Sequence, residues 1–86
     1  MTIYIVSYTS FESYDNYLYT SRKVFTDELE AVATLQSWAN SAWENITDEG
    51  ERPESEIYID RRVNYISYER NDSYLKIIVE LTEQEL

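Results

Sequence analysis

The run from Thr26 to Ile46 limits the fold most, because it is the one stretch with helical spacing and the segments on both sides of it alternate. Leu29, Val32, Leu35, Ala39, Ala42, Trp43 and Ile46 recur at steps of three and four, the spacing of one helix face. Glu30, Thr34, Ser37, Asn40, Ser41, Glu44 and Asn45 fall mostly on the other side. Ala31, Ala33, Ala39 and Ala42 favour the helix and allow it to lie close on a sheet. Thr26 is expected to cap the first free amides, and Asp27 and Glu28 sit where the helix dipole favours negative charge. The spacing predicts a helix over residues 27–46, stopped by Gly50 and Pro53 within a polar, acidic loop over 47–55.

The flanking segments read as strands. Residues 2–12 set Ile3 and Ile5 on one face and Tyr4, Val6 and Tyr8 on the other. Ser13, Tyr14, Asp15 and Asn16 have turn chemistry, and residues 17–25 alternate again, which predicts a hairpin. Residues 56–69 carry Ile57, Ile59, Val63, Tyr65 and Tyr68; the alternation weakens at Ile66, so a bulge or bend is expected near Arg61 and Arg62. After a turn at 70–73, residues 74–81 place Leu75, Ile77, Val79 and Leu81 on one face, leaving an acidic tail, 82–86, to fray. The expectation is a single α+β domain over 1–86 in the order ββαββ, a four-stranded, mainly antiparallel sheet with one helix on one face. The other face would be partly bare and rich in tyrosine.

Composition narrows the chemistry. The 86 residues hold 17 acidic against 7 basic side chains, no histidine, no cysteine, one glycine and one proline. A formal charge of -10 works against direct binding to nucleic acid or an anionic membrane. Without cysteine there is no disulfide frame and no thiolate metal site, as in a reducing cytosol. Without histidine the commonest general base and metal ligand is missing, and one glycine leaves no room for a phosphate-binding loop. An enzyme is not expected, and neither a cofactor nor a resident metal is implied. The first ten residues lack the basic and apolar regions of a signal peptide, Ile77-Ile78-Val79 is too short to cross a bilayer, and the Asn45-Ile46-Thr47 sequon lacks a secretory context. A cytoplasmic location is the expectation. Carboxylate pairs such as Asp48-Glu49, or Glu54 with Glu56, would need a cleft to act as acid and base. The loop after the helix is dense in oxygen ligands, and Glu56 follows Gly50 by six positions, yet the alternating acids of a calcium loop do not precede that glycine.

Two features remain. Acidic residues gather at Glu44, Asp48, Glu49, Glu51, Glu54 and Glu56, again at Asp27, Glu28 and Glu30, and again at Glu80, Glu83 and Glu85. Such runs are ordinarily solvated faces. The functional alternative is that the carboxylates imitate phosphates, which would account for the tolerated self-repulsion. The nine tyrosines are ordinarily strand-face residues, but Tyr14, Tyr17, Tyr19, Tyr68 and Tyr74 lie near turns. Acids beside tyrosines suit docking into a groove rich in Arg and Lys.

In size, acidity, absent cysteine and histidine, and compact α+β pattern, the chain resembles the small phage-encoded anti-CRISPR proteins and DNA-mimic inhibitors of restriction or repair enzymes. The resemblance rests on the acids of 44–56, on Asp27, Glu28 and Glu30, and on the neighbouring tyrosines; it covers the whole chain as a class of size and composition. It implies a non-enzymatic inhibitor, in the cytoplasm of the host cell, that occupies the nucleic-acid groove of a CRISPR nuclease or similar protein and blocks duplex or guide. Other members of the class dimerise or act by allosteric contact. The partner-binding residues would be Glu44, Asp48, Glu49, Glu51, Glu54 and Glu56, with Asp27, Glu28 and Glu30 and with Tyr14, Tyr17 and Tyr19. Charge reversal at Glu49, Glu51 and Glu54 is expected to matter more than the same change at Glu83 and Glu85. The competing expectation is a protein-protein adaptor or homodimer that pairs through a tyrosine-rich sheet face or an open edge strand.

Overall fold

A computed structural model of the chain describes residues 1–12, 17–47, 57–70 and 75–86. Strand β1 (Thr2–Glu12) and strand β2 (Tyr17–Phe25) lead into helix α1 (Glu28–Ile46), which is followed by β3 (Ile57–Arg62), β4 (Tyr65–Arg70) and β5 (Lys76–Glu85). The strands form one antiparallel sheet in the order β2-β1-β5-β4-β3. The class is α+β, with five strands in the order ββαβββ rather than four in the order ββαββ.

The additional strand comes from the segment 56–69. Near Arg61 and Arg62 the chain does not bulge; it reverses through Val63 and Asn64, so that Arg62 stands opposite Tyr65. Asn64 takes a φ of 60°, a left-handed conformation that asparagine tolerates better than most residues. Its carbonyl accepts the Leu81 amide at 2.8 Å, which fastens the turn to β5.

The last strand does not end at Leu81. It continues to Glu85, with Thr82, Glu83, Gln84 and Glu85 opposite Ile5, Tyr4, Ile3 and Thr2. Strand β1 is 11 residues long and extends past β2, whose ladder with it begins at Tyr4, so Thr2 and Ile3 have their strand partners in β5 alone. The Thr2 hydroxyl donates to the Glu85 carboxylate, at 2.9 Å to Oε1 and 2.7 Å to Oε2, and holds this end of the ladder.

The helix also begins and ends by its own chemistry. Asp27, not Thr26, is the N-cap: its backbone is extended and its Oδ1 accepts the Leu29 amide at 3.0 Å. At the other end the Thr47 hydroxyl donates to the Trp43 carbonyl at 2.7 Å, so the helix closes before Gly50 and Pro53 are reached. Those two residues, and the turn residues 13–16 and 71–74, lie outside the described residues.

Helix α1 lies over β5 and β1, with smaller contacts on β4 and β2. Ala42 and Ile46 meet Ile57, Ile66, Tyr68, Ile77 and Val79, while Ala31 meets Val6 and Leu81. Leu35 and Trp38 pack against both groups and join them into one core. Leu29 belongs to neither: it is 79% exposed, because the side of the first helical turn that meets the sheet is taken by Ala31, fully buried against Val6 and Leu81, and Leu29 lies on the outer side.

Side chains opposite one another in an antiparallel ladder share a face. The register therefore puts Tyr4, Tyr8, Tyr19 and Tyr68 on the helix side. Among the described tyrosines only Tyr58 and Tyr65 belong to the opposite face, so that face is not tyrosine-rich. Strand parity decides this, since the tyrosines of β1 and β2 share parity with Val6 and Phe25.

Candidate interaction surface

Acidic groups from separate parts of the chain meet at one end of the sheet. Glu83 stands directly across from Tyr4, and Glu85 across from Thr2, all on the helix side. The Asp27 cap and Glu28 bring the start of α1 to the same place. The Tyr4 phenol records the convergence: its ionisation is pushed above the ordinary value of 10.0 by burial first, then by Glu28, Glu83, Glu85 and Asp27. Phe25 flanks Tyr4 on the β2 side, and the Lys23 ammonium lies 5.3 Å from the Phe25 ring centre. The Met1 ammonium approaches Glu85 Oε1 at 3.7 Å. The surface is thus carboxylate-rich, with an aromatic base of Tyr4 and Phe25.

Of the residues expected to bind a partner, Asp27, Glu28 and Glu30 are exposed in or beside the first helical turn. Glu44 is exposed near the other end of α1, sixteen residues beyond Glu28 and so roughly 24 Å along the axis. The helix start and Glu44 do not form one site. Tyr19 is 46% exposed and meets Tyr8 edge-on, with ring centres 6.3 Å apart. The Tyr8 hydroxyl accepts the Asn45 side-chain amide at 2.9 Å, so this pair ties β1 and β2 to the last turns of α1. Tyr17 stands opposite Glu12 in the ladder. Tyr14, Asp48, Glu49, Glu51, Glu54 and Glu56 lie outside the described residues.

Tyr4, Glu83 and Glu85 are the additions to that set. The sequence carries a signal for them: Glu83 and Glu85 continue the parity of Leu75, Ile77, Val79 and Leu81, and β1 is long enough to need partners there.

Two clefts flank the helix. One, of about 300 Å³, lies between the middle of α1 and the β3–β4 hairpin and includes Gln36, Asn40, Arg61 and Tyr68. The other, of about 320 Å³, includes Tyr8, Tyr19, Ser21, Trp38 and Asn45. No carboxylate among the described residues lines either cleft, and the pairs Asp48-Glu49 and Glu54 with Glu56 lie outside the described residues. In the first cleft burial raises the Tyr68 ionisation while Arg61 pulls it down. Arg62 is engaged by Asp60 through contacts of 2.9 and 3.3 Å and lies 5.2 Å from the Tyr65 ring centre. No cluster of carboxylates among the described residues could hold a metal ion, and no described helix is long and apolar enough to cross a membrane. No protein family model matches the chain, and neither a curated protein nor a solved structure matches it.

Proposed function

We propose that the protein is a non-enzymatic binding protein whose acidic end enters the basic groove of a nucleic-acid-binding protein and competes there with nucleic acid. The observation that carries this reading is the convergence of Asp27, Glu28, Glu83 and Glu85 around Tyr4, from two elements distant in sequence. A folded arrangement of carboxylates on a helix start and a strand end is more preorganised than a charged tail, and preorganisation lowers the cost of docking. Carboxylates make their strongest contacts with arginine forks, and the adjacent Tyr4 and Phe25 rings offer faces to lysine and arginine stems. The resemblance in size and charge makes a CRISPR effector nuclease the first partner to test and inhibition the result of its occupancy.

The test is competition between the protein and fluorescent duplex DNA for purified CRISPR effectors, measured at several salt concentrations. Displacement that weakens with added salt is expected, because the attracting charges are screened. Reversal of Glu28 and Glu83 to lysine is expected to weaken displacement about tenfold or more, and reversal of Glu44 much less. The reading fails if no effector in the panel releases DNA, or if both reversals leave displacement unchanged. Reversal of Glu49, Glu51 and Glu54 in the same assay tests the acidic loop separately.

A further inference from the structure

The second surface is the sheet face that no described element covers. The register assigns to it Ile3, Ile5 and Phe11 of β1, Val24 of β2 and Ile78 of β5, none of which belongs to the core clusters. Phe11 is 41% exposed and Val24 55%. A sheet face meant for water carries polar residues at these positions, whereas an exposed apolar patch of several residues marks an interface.

The same face differs in charge from the rest of the chain. Among the described residues its charged side chains are Arg22, Arg62 and Lys76 against Asp60, Glu69 and Glu80, three of each sign, in a protein whose total is -10. Arg22 and Glu80 stand on either side of Ser7 in one cross-strand row, and neither has an ion-pair partner among the described residues. Two-fold pairing requires one patch to complement itself, and equal numbers of both signs between two apolar groups, Ile3, Ile5 and Val24 on one side and Phe11 and Ile78 on the other, meet that requirement. A basic groove would be opposed by half of these charges. The extent is also sufficient: five strands at ~4.8 Å and a length of ~30 Å give roughly 700 Å² per copy, near the ~800 Å² of a standard interface.

We propose that this open sheet face pairs with the same face of a second copy, making a two-sheet homodimer with a helix on each outer side. The pairing is independent of the acidic end, which stays exposed and is present twice in the dimer.

The test is sedimentation of the full chain from low to high micromolar concentration. A two-chain mass is expected. Val24→Glu and Phe11→Glu each put a carboxylate, with its desolvation cost, into the paired face and are expected to weaken self-association roughly tenfold or more, with circular dichroism unchanged because both positions are exposed in the single chain. Arg22→Glu leaves the face net negative and Glu80→Arg leaves it net positive, so a mixture of the two is expected to pair more tightly than either alone. A one-chain mass at every concentration overturns the proposal and leaves the face to a different protein. A two-chain mass that survives both glutamate substitutions overturns it in favour of pairing through an edge strand.

Discussion

Tyr4 and Glu83 face one another across the β1–β5 ladder on the helix side, so a phenol lies beside a carboxylate that the sequence places at the far end of the chain. The phenol ionises above 10.0 because burial, then Glu28, Glu83, Glu85 and Asp27, oppose a second negative charge there. The folded chain therefore holds this proton more tightly than the unfolded chain. Its contribution to stability is complete below the ordinary tyrosine range and is lost as pH rises through the folded ionisation. Near-ultraviolet titration, with Tyr4→Phe as the subtraction, is expected to show a late-ionising phenol, and Glu28→Gln is expected to bring it down. An unmoved titration in Glu28→Gln would mean that the helix start and the end of β5 do not meet.

Capping of α1 rests on Asp27, whose Oδ1 takes the Leu29 amide at 3.0 Å. Asp27→Ala is expected to cost about 1 kcal/mol, from the lost cap and the lost charge at the positive end of the dipole. Thr26→Ala is expected to change stability by less than about 0.5 kcal/mol, since another residue supplies the cap. Urea denaturation of the two variants compares them directly. Equal losses would return the cap to Thr26.

The elements with local periodicity were legible in the sequence. Ile57 with Ile59, and Ile77 with Val79 and Leu81, alternate as the strands require, and α1 falls within one residue of the range read from its apolar spacing. Relationships between distant segments were not. The fate of residues 82–85 depends on the length of β1, because those residues carry little apolar content and gain their order from backbone pairing. The acidic end could not be read from any one run, since its members come from the helix start and the strand end. The open face lacks the tyrosines of β1 and β2 because they share parity with Val6 and Phe25, and which parity faces the helix depends on the packing of α1 rather than on the strands themselves.

The turn at Val63 and Asn64 escaped notice for a related reason: it contains neither glycine nor proline. At a φ of 60°, Asn64 pays a smaller steric penalty than a β-branched residue, and its carbonyl holds the Leu81 amide. Asn64→Gly is expected to be near neutral, and Asn64→Val to cost about 1–2 kcal/mol by thermal denaturation. If Asn64→Val is as stable as the parent, 56–69 is better described as the one bent strand that the sequence implied.

The sharpest contrast in the core lies between two aliphatic residues that composition alone does not distinguish. Ile77 is 2% exposed, opposite Tyr68 and beneath the C-terminal half of α1; Leu29 is 79% exposed on its first turn. Ile77→Ala removes packed methylenes and leaves a cavity, with an expected cost of about 2–5 kcal/mol. A domain of this size has roughly 4–13 kcal/mol in all, so the variant is expected to lose a large fraction of its stability, read as a lower urea midpoint. Leu29→Ala gives up little buried area and favours the helix, so its effect is expected to stay within about 0.5 kcal/mol. The comparison reads which side of the helix meets the sheet: Ala31 of the first turn is fully buried against Val6 and Leu81, and equal losses would require α1 to be rotated about its axis so that Leu29 took that place. In the observed facing Asp27, Glu28 and Leu29 are all exposed, which leaves the two carboxylates free to meet a partner.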